Sequence, residues 1–138
     1  MIDPKELRVG NFVKCITHLP IGYFHPTLLY SEVMEIRGES IETTVSTHKY
    51  KEIAPIELTK DILLNSGGFS LSDNEITFSE NDLRTPILYI LLNNGEFYLS
   101  INNQCRINNP ITSVHHFQNI YYDIMGKEIE IKIPENPI

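Results

Sequence analysis

No apolar run in the 138-residue chain approaches the roughly 18 residues that a membrane-spanning helix needs. The opening "MIDPKELRVG" lacks the basic and apolar regions of a secretion signal, so the expected location is the cytoplasm. Cysteine is scarce. Cys15 and Cys105 stand far apart, each in a strand-like segment, and no C-x-x-C pair exists to build a thiolate zinc site. The expectation is two buried or half-buried free thiols in a reducing compartment. The glycine-rich phosphate loops GxxxxGK[ST] and GxGxxG are missing, and so is the GxSxG nucleophile elbow. Positive charge is also short: 11 Lys and Arg oppose 18 Asp and Glu, a net charge of −7. Residues 1–69 hold seven basic and nine acidic groups, and residues 70–138 hold four and nine. An acidic field repels phosphate backbones and steers basic partners inward, so direct nucleic-acid binding is disfavoured.

What is present suffices for a globular fold. Hydrophobic residues make up 41% of the chain and charged residues 21%, ordinary values for a soluble domain. A chain of this length buries roughly two thirds of its unfolded surface, so neither disulfide nor metal is required. The pattern predicts an α+β protein, one compact domain with two lobes. A β-rich lobe over 1–54, curled in the SH3-like manner, precedes an α+β lobe over 55–138 in which one helix packs an antiparallel sheet.

The segments behind that expectation follow in order. "LRVGNFVKCIT" reads as a strand with a bend at its "GN", and "THLPIGYFHPT" as a loop. "LLYSEVMEIRG" and "SIETTVST" form a hairpin, with Val33 and Met34 breaking strict alternation. Pro55 ends the extended run. Thr59 then caps a short helix, "KDILLNSG", which buries Ile62 and Leu63 and stops at Gly67 or Gly68. "FSLSDNEITFS" gives two strands around Asp73-Asn74. "PILYILLNNGEFYLSINN" is a hairpin on an Asn-Gly turn, its first strand apolar enough to be covered on both sides. "CRIN" adds a short strand. Thr112 or Ser113 caps a helix to Met125, closed by Gly126, with Val114, Phe117, Tyr121, Ile124 and Met125 as its apolar stripe. "KEIEIKI" alternates strictly and predicts a last, one-sided strand, followed by the tail "PENPI".

The candidate chemical groups are few. His115 and His116 are consecutive, so on a helix they diverge by about 100° and do not chelate one ion. At i+4 they meet Asn119 and Ile120, which are not strong zinc ligands. His18, His25 and His48 have no regular spacing to carboxylates. No catalytic residue, metal or cofactor is expected. "SDNEITFSEND" fails as a calcium loop because Phe78 stands where the pattern needs glycine. Its Asp73, Glu75, Glu80 and Asp82 read either as a solvated edge or as an acidic patch for a basic protein surface. On the second helix, His115, Gln118, Asn119 and Tyr122 form an expected outward polar side. It serves either for docking or for hydrogen bonds to a neighbouring loop.

Three segments resemble a pattern found in small uncharacterised proteins of phages, prophages and their Bacteroidetes hosts. "ELRVGNFV" is similar to that group's "LRIGN" start, "IAPIELTKDILLNSGGF" to its middle, and "ITSVHHFQNIYYDIMGKEIEI" to its ending. The chain departs from the pattern at Glu57, where proline is usual, at the extra glycine of 67–68, and at His116-Phe117. The resemblance implies a mobile-element accessory protein of α+β organisation and transfers no catalytic residue. Together with the acidic balance, it leads to the expectation of a non-catalytic module that binds a basic host protein or nucleoprotein. Inhibition of a CRISPR-effector type of defence nuclease is the form this takes. The alternatives are an RNA- or DNA-binding accessory protein using Phe12, Tyr23, Phe24 and Tyr30, and a virion component.

Overall fold

The computed structural model describes residues 2–17, 27–79 and 85–133, with the backbone alone at 16–17 and 27–28. The predicted loop after Thr17, His18 and His25, Tyr23 and Phe24, Glu80 and Asp82, and the tail after Ile133 lie outside the described residues. Among the described residues the chain is mainly antiparallel sheet with two α-helices, an α+β organisation. It divides into two units. The first comprises Met1–Glu57 with Ser113–His115. The second comprises Leu58–Thr112 with His116–Ile133.

In the first unit, a five-stranded sheet has the order β4-β3-β2-β1-β5. Its strands are β1 (Phe12–Thr17), β2 (Thr27–Ile36), β3 (Ser40–Thr43), β4 (Thr47–Lys49) and β5 (Ile53–Ala54). The "GN" bend ahead of β1 is a built corner. Gly10 takes a positive φ of 95° and donates its N–H to Val33 O at 2.8 Å. The buried Asn11 accepts the Val33 N–H on its carbonyl and the Arg8 N–H on Oδ1, both at 2.8 Å. A side chain at position 10 would be strained in that conformation. Strand β2 changes partner midway: Glu32 lies opposite Phe12 of β1, and Val33 lies opposite Thr43 of β3. The register shifts between Val33 and Glu35, so Met34 is a bulge residue and turns outward while Val33 stays buried. That bulge resolves the broken alternation. Ile2, Leu7, Val13, Cys15, Val33, Ile41 and Ile53 make the unit's core, with Tyr50 packed against it.

Like charges meet at the tip of the β2–β3 hairpin, because Glu35 lies opposite Glu42. Such a pair is destabilising unless bridged. Arg37 bridges it, its Nη2 donating to Glu35 Oε2 at 3.2 Å and to Glu42 Oε2 at 3.1 Å. This guanidinium holds the Glu35 carboxyl below the usual carboxylate range.

In the second unit, another five-stranded sheet has the order β10-β9-β8-β7-β6. The strands are β6 (Phe69–Ser72), β7 (Glu75–Phe78), β8 (Leu88–Asn93), β9 (Glu96–Ile101) and β10 (Cys105–Arg106). Helix α1 (Lys60–Asn65) starts as its sequence dictates, with the Thr59 hydroxyl accepting the Ile62 N–H at 3.2 Å and Ile62 and Leu63 buried. Gly67, at φ 105°, supplies the left-handed stop. The β8–β9 turn is Asn94-Gly95 with both φ values positive, 53° and 78°, the combination a tight two-residue hairpin favours. Helix α2 (Val114–Met125) closes at Gly126, φ 75°, whose N–H donates to Tyr122 O. Phe117 and Tyr121 of α2 meet Phe78 of β7 in a ring trio with centroids 5.4–6.1 Å apart.

Four expectations are corrected. The strand β8 is central in pairing but buries only one face: Leu88 and Ile90 are buried, while Tyr89 and Leu91 are half-exposed. Residues 127–133 do not join the sheet. Ile129 and Ile131 are buried and Glu128, Glu130 and Lys132 exposed, as alternation requires, but no ladder forms. The Lys132 N–H instead donates to Ser66 Oγ at 2.9 Å. Alternation reports which side chains are buried, whereas strand membership needs a facing backbone edge. Third, Cys105 is exposed and only Cys15 is buried. Burial raises the Cys15 thiol above its ordinary value, and its sulfur lies 3.0 Å from Ser31 Oγ, a structural and unreactive setting. The fourth concerns His115 and Gln118.

Candidate functional site

Sequence polarity puts His115 and Gln118 on the outward side of α2; the structure buries both, at 3% and 2% exposure. The two follow Val114 and Phe117 by one position, so they widen the buried arc of the helix instead of opposing it. Both side chains take part in interactions, although the buried His115 Nδ1 has no hydrogen-bond partner among the described residues. His115 Nε2 lies 3.4 Å from Glu6 Oε2, both within the first unit. His116 diverges from its neighbour and is half-buried. The outward polar side of α2 therefore reduces to half-buried Asn119 and to Tyr122, which is 41% exposed and lies next to exposed Asp123.

The turn at Asp73-Asn74 joins β6 to β7, and of the four acidic residues Asp73 and Glu75 are described. Asp73 is exposed between β6 and β7, and Glu75 is half-exposed at the start of β7. Lys60 of α1 donates its Nζ to Asp73 O at 3.1 Å, which sets a cation beside that turn. Glu75 lies on the pleat face opposite Ile76 and Phe78, and Phe78 is the residue that meets α2. The turn carboxylates and the Asn119–Tyr122 side are thus not brought together on one face.

Buried His48 has a different character. It stands opposite Ile41, and its Nε2 lies 3.1 Å from Ser46 Oγ. Burial holds its pKa below the ordinary 6.5, with the Glu52 charge opposing weakly. The unfolded chain then binds a proton more readily than the fold, so stability falls as pH drops through and below about 6.5. Urea unfolding at pH 7.5 and 5.5 is expected to show this loss, and His48→Gln to reduce it. An equal loss in both proteins would remove His48 as its source.

Among the described residues, no three His, Cys, Asp or Glu side chains converge to hold a metal ion. No helix of the described residues is long and apolar enough to cross a membrane. An open cleft of about 320 Å³ in the second unit has Phe78 and Tyr121 among its walls and Lys127, Glu128 and Glu130 alongside. Its carboxylates face solvent, and Glu130 pairs with Lys132.

Comparisons with protein-family models, curated proteins and solved structures gave no match.

One cluster was missed by sequence reasoning. On β9, the Tyr98 hydroxyl donates to Glu96 Oε2 at 2.8 Å, and the Arg106 guanidinium lies over the Tyr98 ring, 4.9 Å from its centroid. The carboxylate beside it pushes the Tyr98 hydroxyl pKa up. The signal was legible as the i, i+2 pair Glu96 and Tyr98 in a strand. The contribution of Arg106 was not, because it depends on β10 folding back so that Arg106 lies opposite Ser100.

Proposed function

We propose that this chain is a non-catalytic binding module of a phage or mobile element. In this reading it docks an acidic surface onto a basic host protein or nucleoprotein and inhibits a defence nuclease of the CRISPR-effector type. One observation carries the docking part: no carboxylate among the described residues is buried, so the excess negative charge is surface charge. Surface charge steers encounter and selects partners of opposite sign. Channels that hold nucleic acid are basic and offer such a surface. The mobile-element context rests on the resemblance of the three segments, and the nuclease target rests on that context.

The test is purification of the tagged protein from a Bacteroidetes host, followed by affinity measurement across salt with the co-eluting protein. The expected partner is basic, and its binding weakens steeply as salt rises. Neutralising Asp73, Glu75, Glu80 and Asp82 together is expected to weaken binding about tenfold or more at low salt. Unchanged affinity would refute the contact.

The rival reading, nucleic-acid binding by an SH3-like first lobe, has one observation in its favour. Lys14 lies opposite Tyr30, with Phe12 and Glu32 opposite each other on the same face of the sheet. Polarisation with labelled single-stranded RNA and DNA at low salt decides it, and no binding disposes of it.

A further inference from the structure

The register of the second sheet defines an outer face that Asp73 of the acidic turn borders and Glu75 joins. In one row, Phe69 lies opposite Thr77, Thr77 opposite Tyr89, Tyr89 opposite Ser100 and Ser100 opposite Arg106. In the next row, Glu75 lies opposite Leu91 and Leu91 opposite Tyr98. Residues directly opposite point the same way, and Glu96, two before Tyr98, joins them. The reverse pleat holds the buried Ile76, Phe78, Leu88, Ile90 and Leu99. The outer face thus carries aromatic rings at Phe69, Tyr89 and Tyr98 and carboxylates at Glu75 and Glu96. Phe69 is 67% exposed, and Tyr89, Leu91 and Tyr98 are half-exposed.

Arg106 shows the chemistry this face accepts. Its guanidinium stacks on Tyr98 while the Glu96 carboxylate holds the hydroxyl of that ring. A ring face attracts a cation through its quadrupole, and a planar guanidinium stacks better than an ammonium. The same combination recurs one strand across. Tyr89 is diagonal to both Glu75 and Tyr98 in the register, a spacing within reach of long side chains.

We infer that the outer face of the β6–β10 sheet, centred on Tyr89, Tyr98, Glu75 and Glu96, is a docking site for arginine side chains of an extended basic segment in a partner protein. One arginine stacks on Tyr89 with Glu75 as its counter-charge, beside the internal Arg106–Tyr98–Glu96 stack. Phe69 meets an apolar neighbour in the same segment. Two carboxylates against the single Arg106 leave the face net negative, which disfavours nucleic acid. A second copy of this chain would set the same carboxylates against each other. This inference deepens the acidic-docking reading and rests on it.

The experiment uses the whole chain and two fluorescein-labelled eight-residue peptides, one alternating glycine with arginine and one alternating glycine with lysine. Polarisation at low salt is expected to show the arginine peptide binding about two- to fivefold tighter. Tyr89→Ala is expected to bring the two peptides to parity, and Tyr89→Phe to keep the preference. Glu75→Gln and Glu96→Gln weaken both peptides. Amide-shift mapping on the unsubstituted protein, which needs no variant to fold, is expected to centre on residues 75–77, 89–91 and 96–100. Equal affinity for both peptides overturns the proposal, as does a preference unmoved by Tyr89→Ala in a folded variant, or shifts centred elsewhere. A dimer in light scattering that Tyr98→Ala dissociates would give the face to a second copy and overturn it too. Suppose a basic host partner is bound in a salt-sensitive way, and equally well by a Tyr89→Ala/Glu96→Gln variant. This face alone then fails. If neither peptide nor any basic partner binds, the acidic-docking reading fails with it.

Discussion

Phe117→Ala is expected to cost about 3–5 kcal/mol of unfolding free energy, a large fraction of what a domain of this size has. Phe117 is fully buried, and its ring packs at 5.4 Å from Phe78 and 6.0 Å from Tyr121. Removing it deletes one ring of a mutually contacting trio and leaves a void bounded by the two rigid rings that remain. Phe117→Leu keeps most of the volume and loses the ring geometry, so about 1–2 kcal/mol is expected. Urea unfolding of both variants, followed by circular dichroism, gives the comparison. A loss below about 1 kcal/mol for the alanine variant would mean that the trio is not the centre of this unit's packing.

A single added methyl at Gly68 is expected to cost about 2–3 kcal/mol. A Cβ there would sit 2.7 Å from Leu63 O, 2.7 Å from Ile76 Cγ2 and 2.9 Å from Phe78 Cζ. The two side chains can yield a little. The carbonyl cannot, because it belongs to the last turn of α1 and accepts the Gly68 N–H at 3.0 Å. The adjacent Gly67 offers the control. Its φ of 105° favours glycine, yet nothing lies within 4 Å of a Cβ there. Gly67→Ala therefore meets backbone strain alone, about 1–2 kcal/mol. Thermal melts of the two alanine variants test this ranking, and Gly68→Ala melting no lower than Gly67→Ala would contradict the close approach. The pair also divides labour that sequence left open, since one glycine stops the helix and the other lets β7 pack against it.

Where a rule acts over a few residues, the sequence was legible. Thr59 captures an amide three positions on, Asn94-Gly95 accepts positive φ at both turn positions, and Gly126 ends α2, each without help from distant residues. Legibility failed where a distant partner decides. The Ile129 and Ile131 alternation was right about burial, yet no sheet edge met that segment. His115 and Gln118 looked outward by polarity, but Glu6, more than a hundred positions earlier, supplies a contact that helps make burial of the histidine tolerable. For the candidate site, Asp73 and Glu75 were readable as acidic and exposed. The face combining Glu75 with Tyr89 and Tyr98 was not, because membership depends on strand register.

By itself, then, the sequence determined the charge balance, the α+β class, the Thr59 cap, the Asn94-Gly95 turn and the Gly126 stop, since composition and short-range geometry fix these without reference to the rest of the chain. Only the tertiary structure decided which polar groups are buried, that Ser113–His115 belong with the first unit, and which rings and carboxylates share a face. Those outcomes follow from pairings between residues far apart in the chain, and a slip of one residue in the register of β8 or β9 would turn Tyr89 or Tyr98 inward.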